Sequence, residues 1–201
     1  MNMQILTGAI GRLPEFAQLY AMNNDIVGWL RIPGTVIDYP VMQTPDKPDY
    51  YLRRSFDKTR STRGCLYARE SCDVFAPSDN ITIYGHRMRE GSMFARLDEY
   101  LDQDFYLENP YIYFDTLTQL RTYRVFSVFY TTASVGEGFA YHLFENAENQ
   151  AQFDEFVAQC KALSLYDTGV SATYGDSFIT LSTCEKSFVN GRLVVVAKRV
   201  A

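Results

Sequence analysis

The stretch FITLSTCEKSFVNGRLVVVAKR, residues 178–199, constrains this chain more than any other. Six residues of strand character, residues 178–183, run directly into Cys184. Seven residues follow, ending in Asn190-Gly191, and a second β-rich run opens on Arg192 and continues as LVVVA. An Asn-Gly pair between two such runs signals a hairpin, because glycine takes positive φ without steric cost. If the hairpin closes, Cys184 ends one strand and Arg192 begins its neighbour. Paired strands lie about 4.8 Å apart, so a thiol and a guanidinium meet at one rim of a sheet.

At 201 residues the chain suits one domain with a full core. We read residues 1–23 as an N-terminal helical segment and residues 24–201 as a single globular domain. The 15 Tyr and 14 Phe favour a β-rich class. A net charge of −5 argues against a nucleic-acid partner, which would require a clustered basic surface. No apolar window reaches the roughly 18 residues of a membrane span. The opening MNMQILTGAIGRLPEF has neither a basic start nor a long apolar run, so no secretory signal is read there. Four cysteines, Cys65, Cys72, Cys160 and Cys184, do not make a disulfide framework. Cys160 falls in a helical pattern and reads as a small buried apolar residue. Cys65 and Cys72 would bridge only if a turn folded them together, and their pairing is left open.

Leu13, Phe16, Leu19 and Tyr20 stand at helical spacing, which predicts an outer N-terminal helix. Residues 26–32 (IVGWLRI) read as a strand closed by Pro33-Gly34, and residues 36–42 as a second. Residues 43–63 read as a long loop whose Arg53, Arg54, Lys58, Arg60 and Arg63 form a solvated face. Residues 64–68 read as a short strand, and the turn residues PSDN then precede ITIYGH. Alternation puts Ile81 and Ile83 on one face and Thr82, Tyr84 and His86 on the other. His86 therefore ends a strand, as Cys184 does. Residues 92–101 predict a helix with Ser92 as N-cap. Strands follow at 111–114 and 120–132, and residues 149–163 predict a third helix ahead of the last two strands. About eight strands with three connecting helices imply a closed or nearly closed mixed β-barrel.

Cys184, His86 and Arg192 thus all lie at strand ends. A thiol is nucleophilic as the thiolate, which a neighbouring cation favours. An imidazole supplies a proton to a leaving amine, and a guanidinium stabilises a developing oxyanion. The set suffices for acyl transfer through a thioester, although spacing alone does not bring His86 to the other two. Each residue also has a plain reading: a loop histidine, a solvated hairpin arginine, a structural cysteine.

The full wording of these strands resembles the sortases, and class B sortases in particular. The resemblance runs from about residue 24 to residue 200. It is carried by TLSTC (180–184) with GRLVVVAKR (191–199), by NITIYGHRM (80–88) with GSMFARL (91–97), and by NDIVGWLRIPGTVIDYPVMQ (24–43). The helix at 149–163 is similar to the insertion that marks class B. The resemblance implies an eight-stranded sortase barrel, with the catalytic domain over residues 24–201, and a cysteine transpeptidase of the Gram-positive cell surface. It implies Cys184 as nucleophile, His86 as general acid and base, and Arg192 as oxyanion or substrate-positioning group. The substrate implied is a surface protein with a C-terminal sorting motif, cleaved after a Thr. The acceptor is an amine of a peptidoglycan precursor or, in pilus-building members, a pilin Lys. Ser182, Thr183, Phe139 and Tyr141 are expected to line the motif-binding groove. Neither cofactor nor metal is implied, since nothing resembles the acidic calcium site of some class A relatives. Members carry an N-terminal membrane anchor that this chain lacks, so a trimmed ectodomain at the outer face of the membrane is expected. His142 reads as a loop residue.

Other readings fit less well. A papain-like protease places its Cys at a helix N-terminus, and an L,D-transpeptidase carries a Ser-x-Gly-Cys stretch that is absent here. A non-catalytic surface binding module would keep the barrel and tolerate loss of the thiol.

Overall fold

β-Branched and aromatic residues recur through the strand-forming runs, and the sheet that they build closes on itself. The computed structural model describes residues 13–132, 134, 136–184 and 190–201. Among them β1 (Ile26–Arg31), β2 (Asp38–Met42), β3 (Leu66–Ala68), β4 (Asn80–Tyr84), β5 (Tyr111–Thr116), β6 (Thr122–Thr132), β7 (Phe178–Cys184) and β8 (Gly191–Arg199) form a closed barrel in the order β1-β2-β3-β4-β7-β8-β6-β5. Two pairings are parallel, β2 with β3 and β4 with β7. A parallel pair needs a long crossover. Residues 43–65 supply the first, and all the chain between β4 and β7 supplies the second.

Inward-facing residues fill the barrel, among them Leu30, Val41, Ile83, Phe114, Leu181 and Val195, all fully buried. The run LVVVA of β8 is apolar on both faces for a separate reason. α3 (Gln150–Leu163) lays Phe153, Phe156 and Cys160 over the outside of the sheet against Phe126, Phe129, Phe178, Val194 and Val196. A strand covered on both sides loses the alternation that a half-solvated strand shows. Asn149 starts α3 by accepting the Gln152 amide on its side-chain oxygen at 3.1 Å.

β6 would break this pattern were it regular. Its register against β8 shifts between Val125 and Ser127, a bulge that adds one residue. Val125 and Val128 thereby share the inside, while Phe126 and Phe129 share the outside under α3. Ser127, fully buried, donates to the Cys160 carbonyl at 2.7 Å and ties the strand to the helix.

Several expectations need correction. The predicted helix at 92–101 is a 3-10 helix over Phe94–Leu101, and Ser92 does not cap it. Met93 precedes it at φ 56°, and the Ser92 hydroxyl donates to Glu90 instead. The loop at 43–63 contains a 3-10 helix, Tyr50–Arg53, and an Arg54–Arg60 bridge. A short helix not anticipated, α2 (Gln103–Glu108), begins where Asp102 accepts the Asp104 amide at 2.9 Å. The N-terminal helix is a 3-10 turn, Pro14–Phe16, leading into α1 (Ala17–Met22). It packs Leu13, Phe16, Leu19 and Tyr20 on an outer cluster with Ile26, Met42 and Tyr51. The first twelve residues of the predicted helical segment lie outside the described residues, as do 185–189 of the predicted hairpin turn. At the end of that turn it is Asn190, at φ 54°, that takes the left-handed conformation. Cys65, Cys72 and Cys160 are free and buried. Among the described residues no helix is long and apolar enough to cross a membrane.

Candidate active site

Cys184 is the last residue of β7 and is exposed, whereas the other cysteines are buried. Its Cα partner across the antiparallel pair is Arg192, at the start of β8. On its other edge β7 runs parallel to β4, with Tyr84 level with Ser182. The ladder continues one step further, since the Gly85 amide donates to the Ser182 carbonyl at 3.2 Å and the Thr183 hydroxyl donates to the Gly85 carbonyl at 2.9 Å. His86, two beyond Tyr84, and Cys184, two beyond Ser182, therefore lie at the same end of the β4–β7 pair. Neighbouring strands are about 4.8 Å apart, so β4, β7 and β8 deliver imidazole, thiol and guanidinium to one rim.

Two contacts fix His86. Its carbonyl accepts the Phe94 amide at 2.9 Å, and its Nε2 lies 2.7 Å from the Leu52 carbonyl oxygen. A carbonyl only accepts, so in the neutral ring this contact keeps the proton on Nε2 and leaves Nδ1 as the basic nitrogen. The Leu52 carbonyl is in turn seated against Gly64. At φ 62°, Gly64 has room for no side chain: a Cβ would stand 2.6 Å from both the Leu52 and the Tyr51 carbonyl oxygens. Next to it, the Cys65 amide donates to the Tyr51 carbonyl at 3.0 Å.

Arg192 is half-buried, and its Nη1 donates to the Gly191 carbonyl at 3.0 Å and the Asn190 carbonyl at 3.4 Å. Its partner on β6 is Thr131, whose hydroxyl accepts the Phe139 amide at 3.0 Å and holds the following loop. Behind the rim the hydroxyls of Tyr141 and Ser182 are 2.6 Å apart. Burial pushes the Tyr141 phenol up, the Ser182 bond and the Arg192 charge pull it down, and Cys184 pushes it up again. Thiol and guanidinium thus act on one phenol. Burial lowers the neighbouring His142, and the charges of Arg69 and Arg192 add to the effect. His142 sits in a short 3-10 helix, Tyr141–Leu143, whose His142 carbonyl accepts from Arg69 at 2.7 Å.

The residues expected to line a groove fall into two groups. Ser182, Thr183 and Tyr141 are each no more than 2% exposed, with their hydroxyls turned onto other protein groups. Phe139 is half-buried and packs at 5.8 Å from the rings of both Phe129 and Phe156. Sequence reasoning did not identify Leu52 or Gly64. A main-chain carbonyl is common to every residue, so Leu52 carries no signal that could have identified it.

The rim holds the groups that acyl transfer through a thioester requires: a solvent-open thiol, an oriented imidazole and an adjacent fixed cation. Comparison with known proteins points to one family. The family profile described as Sortase domain matches residues 30–200. Sortase B of Listeria monocytogenes is 34% identical over 188 residues, 92% of this chain and 74% of the relative. Sortase B of Staphylococcus aureus is 32% identical over 187 residues, again 92% and 74%. The solved Staphylococcus aureus sortase B–substrate complex superposes with a TM-score of 0.85 at 31% identity, covering 98% of this chain and 90% of that one. Clostridium perfringens sortase B gives 0.84 at 30% identity, covering 92% and 98%.

Proposed function

The chain belongs to the sortase family of cysteine transpeptidases, with sortase B proteins among its relatives, and on that premise we propose that it cleaves a C-terminal sorting motif of a secreted protein after a Thr and passes the acyl group to an amine of a cell-wall precursor. In this reading Cys184, its thiol proton passed to His86, attacks the carbonyl carbon of the Thr–X bond as the thiolate. Arg192 faces the negative charge that collects on the carbonyl oxygen. His86 gives a proton to the leaving amine as the C–N bond breaks, leaving a thioester on Cys184. The acceptor amine then loses a proton to His86 as it attacks the thioester, and the thiolate leaves. The half-buried Phe139 borders the groove, while Ser182, Thr183 and Tyr141 brace it from beneath. The enzyme works at the outer face of the membrane of a Gram-positive cell, over a catalytic domain of residues 24–201.

The observation that supports this reading best is the register that sets Cys184 opposite Arg192 and Ser182 level with Tyr84, two residues before His86. A library of sorting-motif peptides, with the thioester trapped and identified by mass spectrometry, tests it. We expect a Thr-terminated acyl group on Cys184, and Cys184→Ala to abolish cleavage with the fold intact. Near-wild-type turnover by that variant would overturn the reading.

A further inference from the structure

The segment that positions His86 also carries a concentration of positive charge that the reaction scheme leaves unused. Residues 47–60 hold five cations against two carboxylates, in a chain of net charge −5. Both carboxylates are engaged. Asp57 accepts from the Ser55 and Thr59 hydroxyls at 2.6 and 2.7 Å, and these bonds hold its carboxyl down at about 2. Asp49 accepts from the Tyr67 hydroxyl at 2.7 Å. Lys58 is paired with Asp25 at 2.9 Å. Lys47 lies over the Tyr50 ring at 5.6 Å, and the three arginines remain around one concavity of about 400 Å³, bounded by Asp49, Tyr50, Arg53, Arg54 and Arg60.

Their arrangement repels itself. Arg54 and Arg60 face each other across an antiparallel bridge, and like charges directly opposite are unfavourable. Arg54 lies over the Tyr50 ring at 4.6 Å, which holds its guanidinium in place. Among the described residues Arg53 and Arg60 are exposed and have no side-chain hydrogen bond or ion pair. Several forks around one hollow match an oxygen-rich anion, and guanidinium binds phosphate oxygens two at a time. The hollow also begins one residue from Leu52, whose carbonyl holds His86.

We propose that this arginine-lined concavity binds a diphosphate carried by the amine acceptor, so that the acceptor lies with its anion on Arg53, Arg54 and Arg60 and its amine at His86. The inference rests on the precursor-amine reading above and adds the group by which that precursor is recognised. The acyl donor occupies the β7–β8 side of the rim, and the acceptor enters over residues 43–65.

The test compares two acceptors that differ only in the anion: a uridine-diphosphate-linked muramyl pentapeptide and the same pentapeptide without the nucleotide diphosphate. Peptide cleavage, thioester formation and transfer are measured in wild type and in an Arg53→Gln/Arg60→Gln variant. Two charge-assisted bonds lost predict a rise of ~10-fold or more in KM for the diphosphate acceptor. Cleavage, thioester formation and transfer to the plain pentapeptide should stay unchanged, and inorganic pyrophosphate should compete with the diphosphate acceptor alone. Equal effects on both acceptors, or on neither, overturn the proposal. Lost binding to phosphatidylglycerol vesicles with diphosphate transfer intact also overturns it, and reassigns the arginines to the membrane surface. If wild type cleaves the peptide but transfers to neither acceptor, the precursor-amine reading fails and takes this inference with it. Transfer to both, unaffected by the substitutions, removes this inference alone.

Discussion

The Nε2 of His86 lies 2.7 Å from the main-chain carbonyl oxygen of Leu52, a contact between a proposed proton carrier and a group that no side-chain substitution can delete. It can still be displaced through Gly64, where a Cβ would come within 2.6 Å of that oxygen. Gly64→Ala should lower kcat by roughly 10- to 100-fold, since small misplacements of a reacting group carry such costs. KM for the sorting peptide should change little. The left-handed backbone adds a stability loss of about 1–2 kcal/mol. Steady-state kinetics, a thermal melt and imidazole ¹⁵N spectra check this. Unchanged kcat with a shifted Nε2–H signal would remove Leu52 from the mechanism.

Removing either partner of the thiol should be nearly as severe as removing the thiol. His86→Ala and Arg192→Ala should each reduce kcat/KM by several orders of magnitude, and the double variant should lose little more, because groups that act as a unit are not additive. Arg192→Lys should recover only part, as an ammonium lacks the planar fork. Single-turnover acylation rates decide it. A variant that keeps most of its rate would show that its residue has been given the wrong role.

The four cysteines should separate cleanly by reactivity. Burial pushes the Cys65 and Cys72 thiols up to about 11 and raises Cys160 further still, while Cys184 is open to solvent. Iodoacetamide at pH 8 should label Cys184 alone in the native protein and all four after unfolding. Peptide mapping reads the result, and Cys184→Ala should leave the native protein unlabelled.

His142 should make the fold sensitive to mild acid. Burial first, then the Arg69 and Arg192 charges, hold its imidazole below the ordinary 6.5. The unfolded chain therefore binds this proton more readily than the folded one. The associated stability is complete above about 6.5 and falls as pH drops through that value toward the lower folded one. His142→Gln should lose less stability than wild type between pH 7.5 and 5.5 in urea titrations. Identical pH slopes would contradict it.

How much of this was legible in the sequence depended on whether a feature leaves a local trace. Ile81 and Ile83 alternate with Thr82 and Tyr84, so β4 could be read directly, and with it the placing of His86 at a strand end. The β6 bulge could not, because Val125 and Val128 are three apart and fit neither strand alternation nor a helical run. Ser92 precedes an apolar run in the manner of a cap, yet the tight turn through Met93 withdraws it. The arginines at 53, 54 and 60 read as a solvated face until the Arg54–Arg60 bridge gathered them around one hollow.

The sequence by itself determined the strands, the cysteine at the end of one, the arginine at the start of the next and the family to which they belong. The strands and their ends follow from side-chain periodicity and turn chemistry, which act over a few residues, and the family follows from the resemblance of whole motifs. Only the tertiary structure decided that β4 lies parallel to β7, with Tyr84 level with Ser182 and His86 and Cys184 following at the same end, and that the Leu52 carbonyl, held off by a glycine, fixes the imidazole. Those depend on barrel closure and on main-chain atoms common to every residue, and a linear pattern of side chains encodes neither.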